Sequence, residues 1–112
     1  MEARLPAGVE VSALIRRVTG EGGFAAVLHK GEPEAGTILV VLVENRYSSK
    51  LYERMPQPDG ERRWHLSRQD EGDSAAFGAY LERRAAQDPD TWIVELDIAD
   101  GERFILQQGA KG

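Results

Sequence analysis

The chain has 112 residues, a formal net charge of −5 and no cysteine. That length fits one domain able to bury roughly two-thirds of its unfolded surface. The lack of cysteine excludes disulfides, thiolate metal sites and cysteine nucleophiles, and the acidic balance works against non-specific binding to phosphate backbones.

Met1 to Pro6 carries one arginine and is followed by no apolar stretch of signal-peptide length. The longest aliphatic run, Ile38 to Val43, has six residues, far below the ~18 needed to cross a bilayer. The expectation is a cytoplasmic protein with no membrane contact, organised as a single domain over 1–112 with flexible ends at 1–7 and 107–112.

The first element is "VSALIRRV". Val11, Leu14, Ile15 and Val18 follow the i, i+3, i+4, i+7 pattern of an amphipathic helix. Ser12 is a candidate N-cap, and "GEGG" at Gly20 to Gly23 stops the helix. "FAAVLHK" and "TILVVLVE" read as strands. The second does not alternate, so both of its faces should be covered. "KLYERM" and "ERRWHL" follow, separated by breaks at "NRYSS" and "PQPDG", and the four runs are spaced like an antiparallel meander.

A second helix starts at Asp73 or Ser74, with Phe77, Tyr80, Leu81 and Ala85 as its apolar stripe. It stops by Asp88, because Pro89 disfavours helical geometry in the residue before it. In "TWIVELDI", Trp92, Val94, Leu96 and Ile98 share one face, with Glu95 and Asp97 beside Ile93 on the other. "DG" at Asp100-Gly101 predicts a hairpin turn into a last strand, "ERFIL". The fold class is therefore α+β: a single mainly antiparallel sheet of four to six strands with two helices, in the order α-β-β-β-β-α-β-β.

Three stretches, "VSALIRRV", "GGFAAVLHKGEPEAGTILV" and "QDPDTWIVELDIADGERF", resemble a small bacterial family known as domain of unknown function 1491. The resemblance covers roughly Leu5 to Ile105 and is strongest at the "AG" turn and the "DPDTWIVE" block. It implies a soluble, cytoplasmic, single-domain protein of about this length. It carries no activity and no catalytic residues across.

The residues support little chemistry of their own. "GEGGFA" is a loose glycine-rich loop, but a helix precedes it and a strand follows, the reverse of a phosphate cradle. "DPDTWIVELDIA" opens like a calcium loop but places Trp92 and Ile93 where an oxygen ligand and a glycine are needed. Zinc would require His29 and His65 to meet with a third ligand from Glu32, Glu53 or Glu61. No G-x-S-x-G surrounds any serine. A nuclease-like reading has Glu34 and then Glu44-x-Arg46. Arginine cannot lose its proton to activate water, and the two acids lie about 30 Å apart on an extended strand.

Arg16-Arg17, Arg62-Arg63 and Arg83-Arg84 are three arginine pairs. If the two helices pack side by side, their pairs form a patch able to hold nucleic acid, although the net charge opposes it. Read structurally, the same pairs are solvated faces, with Arg84 and Asp88 as an i, i+4 pair. Trp64 and Trp92 read as core residues on the apolar sides of strands.

The sequence-level reading is a non-enzymatic interaction or accessory module without cofactor or metal, binding a protein partner or a second copy of itself. The final hairpin "ELDIADGERFIL" supplies the edge for pairing. The candidate surface comprises Arg16, Arg17, Arg83, Arg84, Asp88, Asp90, Trp92 and Glu95. The alternatives are a nucleic-acid-associated protein using the arginine pairs and a metal-dependent hydrolase using dispersed acids.

Overall fold

The computed structural model describes residues 5–44, 48–56, 62–70 and 72–106. In chain order they form α1 (Ala7–Gly20), β1 (Phe24–His29), β2 (Ile38–Glu44), β3 (Ser48–Pro56), β4 (Arg62–Gln69), α2 (Ser74–Gln87), β5 (Trp92–Asp97) and a 3₁₀ turn (Gly101–Phe104). Of the breaks expected at 45–49 and 56–60, residues 45–47 and 57–60 lie outside the described residues, as do 1–4 and 107–112, while Ser48, Ser49 and Pro56 belong to β3. Ala7, expected in a flexible end, is buried and opens α1.

The α+β class holds, with one five-stranded sheet in the order β1-β5-β2-β3-β4. It is mixed: β5 runs parallel to β2 and antiparallel to β1, while β2, β3 and β4 form an antiparallel meander. The first strand of the expected meander, β1, leaves it: among the described residues it pairs only with β5 and forms one edge of the sheet.

Alternation along β2 and β5 sorts the core into two layers. Ile38, Val40, Leu42, Trp92, Val94 and Leu96 pack against Ala7, Val11, Leu14 and Val18 of α1. Leu39, Val41, Leu51 and Ile93 pack against Phe77 and Leu81 of α2. The helices thus lie on opposite faces, and β2 is covered on both, as its unbroken apolar run demands. Full burial of each such aliphatic side chain is worth about 1.5–3 kcal/mol.

α1 begins four residues before Val11. Its cap is Pro6, with no side-chain bond. The first-turn amides of Ala7 and Gly8 donate instead to the carbonyls of Glu34 and Pro33 at 3.0 and 2.8 Å. Those orphan donors are satisfied by a distant loop, so Ser12 is an exposed mid-helix residue and not the cap. α2 follows expectation: Asp73 caps it by accepting from Ala76 at 2.9 Å, and it ends at Gln87.

The hairpin after Asp100 does not form. Asp100 takes the left-handed conformation, φ 54°, but the chain then winds into the 3₁₀ turn, closed by Arg103 N–H to Asp100 O at 3.1 Å. Phe104 and Ile105 are 1% and 0% exposed. Consecutive residues of a strand face opposite ways, whereas both of these enter the α1-side core, which only a coiled segment allows.

Candidate interaction surface

β1 carries three exposed large apolar side chains. Phe24 is 74% exposed, Leu28 49% and Val27 42%, and Ala26 is exposed between them. α1 packs on one face of β1 through Ala25. On the other face α2 reaches only as far as Ile93. The strip formed by Phe24 opposite Asp97 and Ala26 opposite Glu95 is therefore left open. Among the described residues the outer edge of β1 has no partner strand, and no charge lies between Phe24 and Leu28. β4, the opposite edge, carries Arg63, His65 and Arg68, the kind of charged edge that resists pairing.

The eight residues singled out from the sequence scatter. Arg16 and Arg17 lie on α1 and Arg83 and Arg84 on α2, on opposite sides of the sheet, so they make no joint patch. The Arg17 guanidinium bonds the Phe104 carbonyl at 3.3 Å and lies 5.4 Å from that ring's centre. Arg84 pairs with Glu53 and not with Asp88, donating through both terminal nitrogens at 2.7 and 3.1 Å. Ser67 adds a 2.6 Å bond to the same carboxylate. The Arg84 hydrogen bonds hold Glu53 below the usual carboxylate range despite its burial. Arg68 and Arg83 lie over the Tyr80 ring, 4.3 and 5.9 Å from its centre.

Asp88 and Asp90 serve the backbone. Asp88 ends α2 and accepts from the Asp90 amide at 3.2 Å, and the Asp90 carbonyl accepts from Glu32 N–H at 2.9 Å. Trp92 is only 6% exposed and faces α1, so no acidic pocket opens beside it. Glu95 alone of the eight borders the open strip at β1.

A second polar cluster lies at the end of β3. The Tyr52 hydroxyl donates to Glu102 at 3.2 Å, and Lys50 pairs with the same carboxylate at 3.5 Å. Burial first, then the Glu102 charge, push the Tyr52 phenol up to about 12. Burial works to raise the Glu102 carboxyl. Its own backbone N–H, Tyr52 and Lys50 outweigh that and hold it below the usual range. On the α1 side, Arg54 makes a two-pronged ion pair with Glu10 and lies 5.1 Å from the Trp64 ring centre.

A cleft of about 500 Å³ runs between β4 and the start of α2 and includes Asp70, Asp73 and Phe77. Its carboxylates are committed: Asp70 accepts from the amides of Gly72 and Asp73, and Asp73 caps α2. His29 and His65 sit on opposite edge strands four positions apart, about 19 Å at sheet spacing, so they cannot share a zinc ion. Among the described residues no group of three His, Cys, Asp or Glu side chains is placed to hold a metal ion, and no helix is long and apolar enough to cross a membrane.

These features define a three-layer α+β domain whose mixed sheet has an apolar edge strand, β1, left unpaired on its outer side among the described residues. The family described as protein of unknown function (DUF1491) matches residues 5–106, and the chain belongs to it. The crystal structure of a DUF1491 family protein from Caulobacter crescentus CB15 superposes with a TM-score of 0.80 at 38% identity, covering 91% of this chain and 95% of that one. An NMR structure of a DUF1491 family protein from the same organism gives 0.78 at 37%, covering 93% and 94%. The solution structure of protein Atu0922 from A. tumefaciens gives 0.75 at 35%, covering 92% and 93%. No curated protein matches the chain.

Proposed function

We propose that the protein is a non-enzymatic interaction module that takes up a partner by strand addition at the β1 edge. The observation that carries this reading is the exposure of Phe24, Val27 and Leu28 along an unpaired, uncharged strand edge. Such an edge presents free backbone donors and acceptors together with apolar side chains, the combination that β-augmentation uses. Exposed apolar residues grouped in this way mark interaction surfaces. The polar clusters elsewhere support the same reading, since the acids of the β4–α2 cleft serve as caps and Glu53 is bound by Arg84 and Ser67.

Phe24→Lys combined with Leu28→Lys tests it. Both side chains are largely in water, so the fold and its thermal transition stay within about 0.5 kcal/mol of the parent. Binding to any stoichiometric partner, a second copy included, is lost. Full retention of every such contact would rule the β1 edge out.

A further inference from the structure

We infer that the occupant of the β1 edge is β1 of a second copy, paired antiparallel about a twofold axis through Ala26 so that two sheets join into one of ten strands. This rests on the strand-addition reading above and names its partner.

A twofold axis puts the same strand on both sides, so the strand must complement itself. Centring on Ala26 sets Phe24 against Leu28 of the second copy, Ala25 against Val27, and Ala26 against itself. Ala25 and Val27 then share one face and the two Ala26 residues the other, as the period of two requires. The smallest side chains meet at the axis and the largest exposed ones cover each other at the ends. The bulge between Val27 and His29 falls on Leu28 itself, so regular pairing runs from Phe24 to Val27 and Leu28 closes over Phe24 at the margin.

Charge agrees with this register. No charged side chain falls within the paired segment Phe24 to Leu28, and the nearest acid before it, Glu21, is held by Arg103 at 2.8 Å. Glu95 and its symmetry mate are three strand spacings apart, about 14 Å, beyond the ~8 Å screening length at physiological salt, so their repulsion is small. A six-residue edge with three exposed apolar side chains gives an interface near or below the ~1,200 Å² that stable complexes bury. The dimer is accordingly weak, with a Kd on the order of 10–100 µM.

The test is sedimentation of the full chain from about 1 µM to about 1 mM, together with single-cysteine cross-linking. The chain has no cysteine of its own, so every disulfide formed is intermolecular. The wild type should pass from one chain to two, and the Phe24→Lys, Leu28→Lys variant should remain a single chain. Ala26→Cys should cross-link with itself under mild oxidation, since directly opposed antiparallel residues lie within disulfide reach. Ala25→Cys should cross-link only when mixed with Val27→Cys.

A wild type that stays a single chain over the whole range, with no Ala26→Cys cross-link, overturns the second copy as occupant. The strand-addition reading then stands or falls separately, on whether the lysine variant loses another partner. Self-linking of Ala25→Cys as efficient as that of Ala26→Cys overturns the register. A dimer that survives both lysine substitutions overturns the dimer and the β1 edge together.

Discussion

The indole N–H of Trp92 donates to the carbonyl oxygen of Glu32 at 2.8 Å, fastening the loop between β1 and β2 to the start of β5. The backbone reinforces this bond: Trp92 N–H donates to Thr37 O at 2.7 Å and Glu32 N–H to Asp90 O at 2.9 Å. His29 donates from Nδ1 to Thr91 O at 2.7 Å, and the Glu32 carboxylate accepts from the amides of Glu34 and Ala35. "GEPEAG" and "DPDTW" are thus two halves of one clasp, and that clasp also caps α1. The Asp88 and Glu32 carboxylates on either side of Trp92 both accept backbone amides.

Glycine at position 36 is what lets the halves close. A Cβ there would meet the Asp90 carbonyl oxygen at 2.2 Å, and the neighbour is backbone, which cannot swing aside. Gly36→Ala should cost about 1–3 kcal/mol by overpacking. Trp92→Phe, which leaves the Glu32 carbonyl short of its donor, should cost a further ~1–3 kcal/mol. Urea unfolding of both variants measures this, with the two losses non-additive because the sites touch.

The Glu53–Arg84 pair joins β3 to α2 across half-buried surface. Glu53→Gln and Arg84→Met should each destabilise by about 1–3 kcal/mol, since each strands a partner. A double-mutant cycle should return a coupling of about 1–2 kcal/mol. Arg84→Met combined with Asp88→Ala should show none.

Stability should fall in acid. Glu53 and Glu102 both titrate below their unfolded value near 4.5. Their charged forms are favoured by folding, so their contribution is complete above that value and lost as pH drops through and below it. Tyr52 has the opposite sign: raised from 10.0 to about 12, it stabilises the fold below pH 10 and loses that contribution between there and about 12. Chemical unfolding at stepped pH should show both flanks, and Glu53→Gln should flatten the acid one.

Phe104 and Ile105 belong to the core, not to a pairing edge. Phe104→Ala should cost about 3–5 kcal/mol, and removing Glu102 onward should unfold the domain. A truncated chain retaining a cooperative transition at the parent temperature would contradict the placement of the 3₁₀ turn.

Much of the fold follows from local pattern. Phe77, Leu81 and the stop before Pro89 define α2, and Trp92, Val94 and Leu96 share the face that their alternation predicts. What escaped local reading is what depends on distant partners. The parallel insertion of β5 between β1 and β2 leaves no mark in "FAAVLHK", which reads equally well as an inner meander strand. The early start of α1 depends on the carbonyls of Pro33 and Glu34. Arg16-Arg17 and Arg83-Arg84 are separated by the sheet itself, which no helical periodicity reveals. The β1 edge had one signal, a run of five uncharged residues opening on phenylalanine, but its exposure depends on where α2 ends.

The most direct test of the strand-addition account is amide hydrogen exchange along Phe24 to Leu28 at low and high protein concentration. The outward-facing amides of β1 should exchange rapidly in dilute solution and gain protection as concentration rises, while those bonded to β5 stay protected throughout. Fast exchange of the outward amides at every concentration, and in the presence of any bound partner, would contradict the assignment of β1 as the interaction edge.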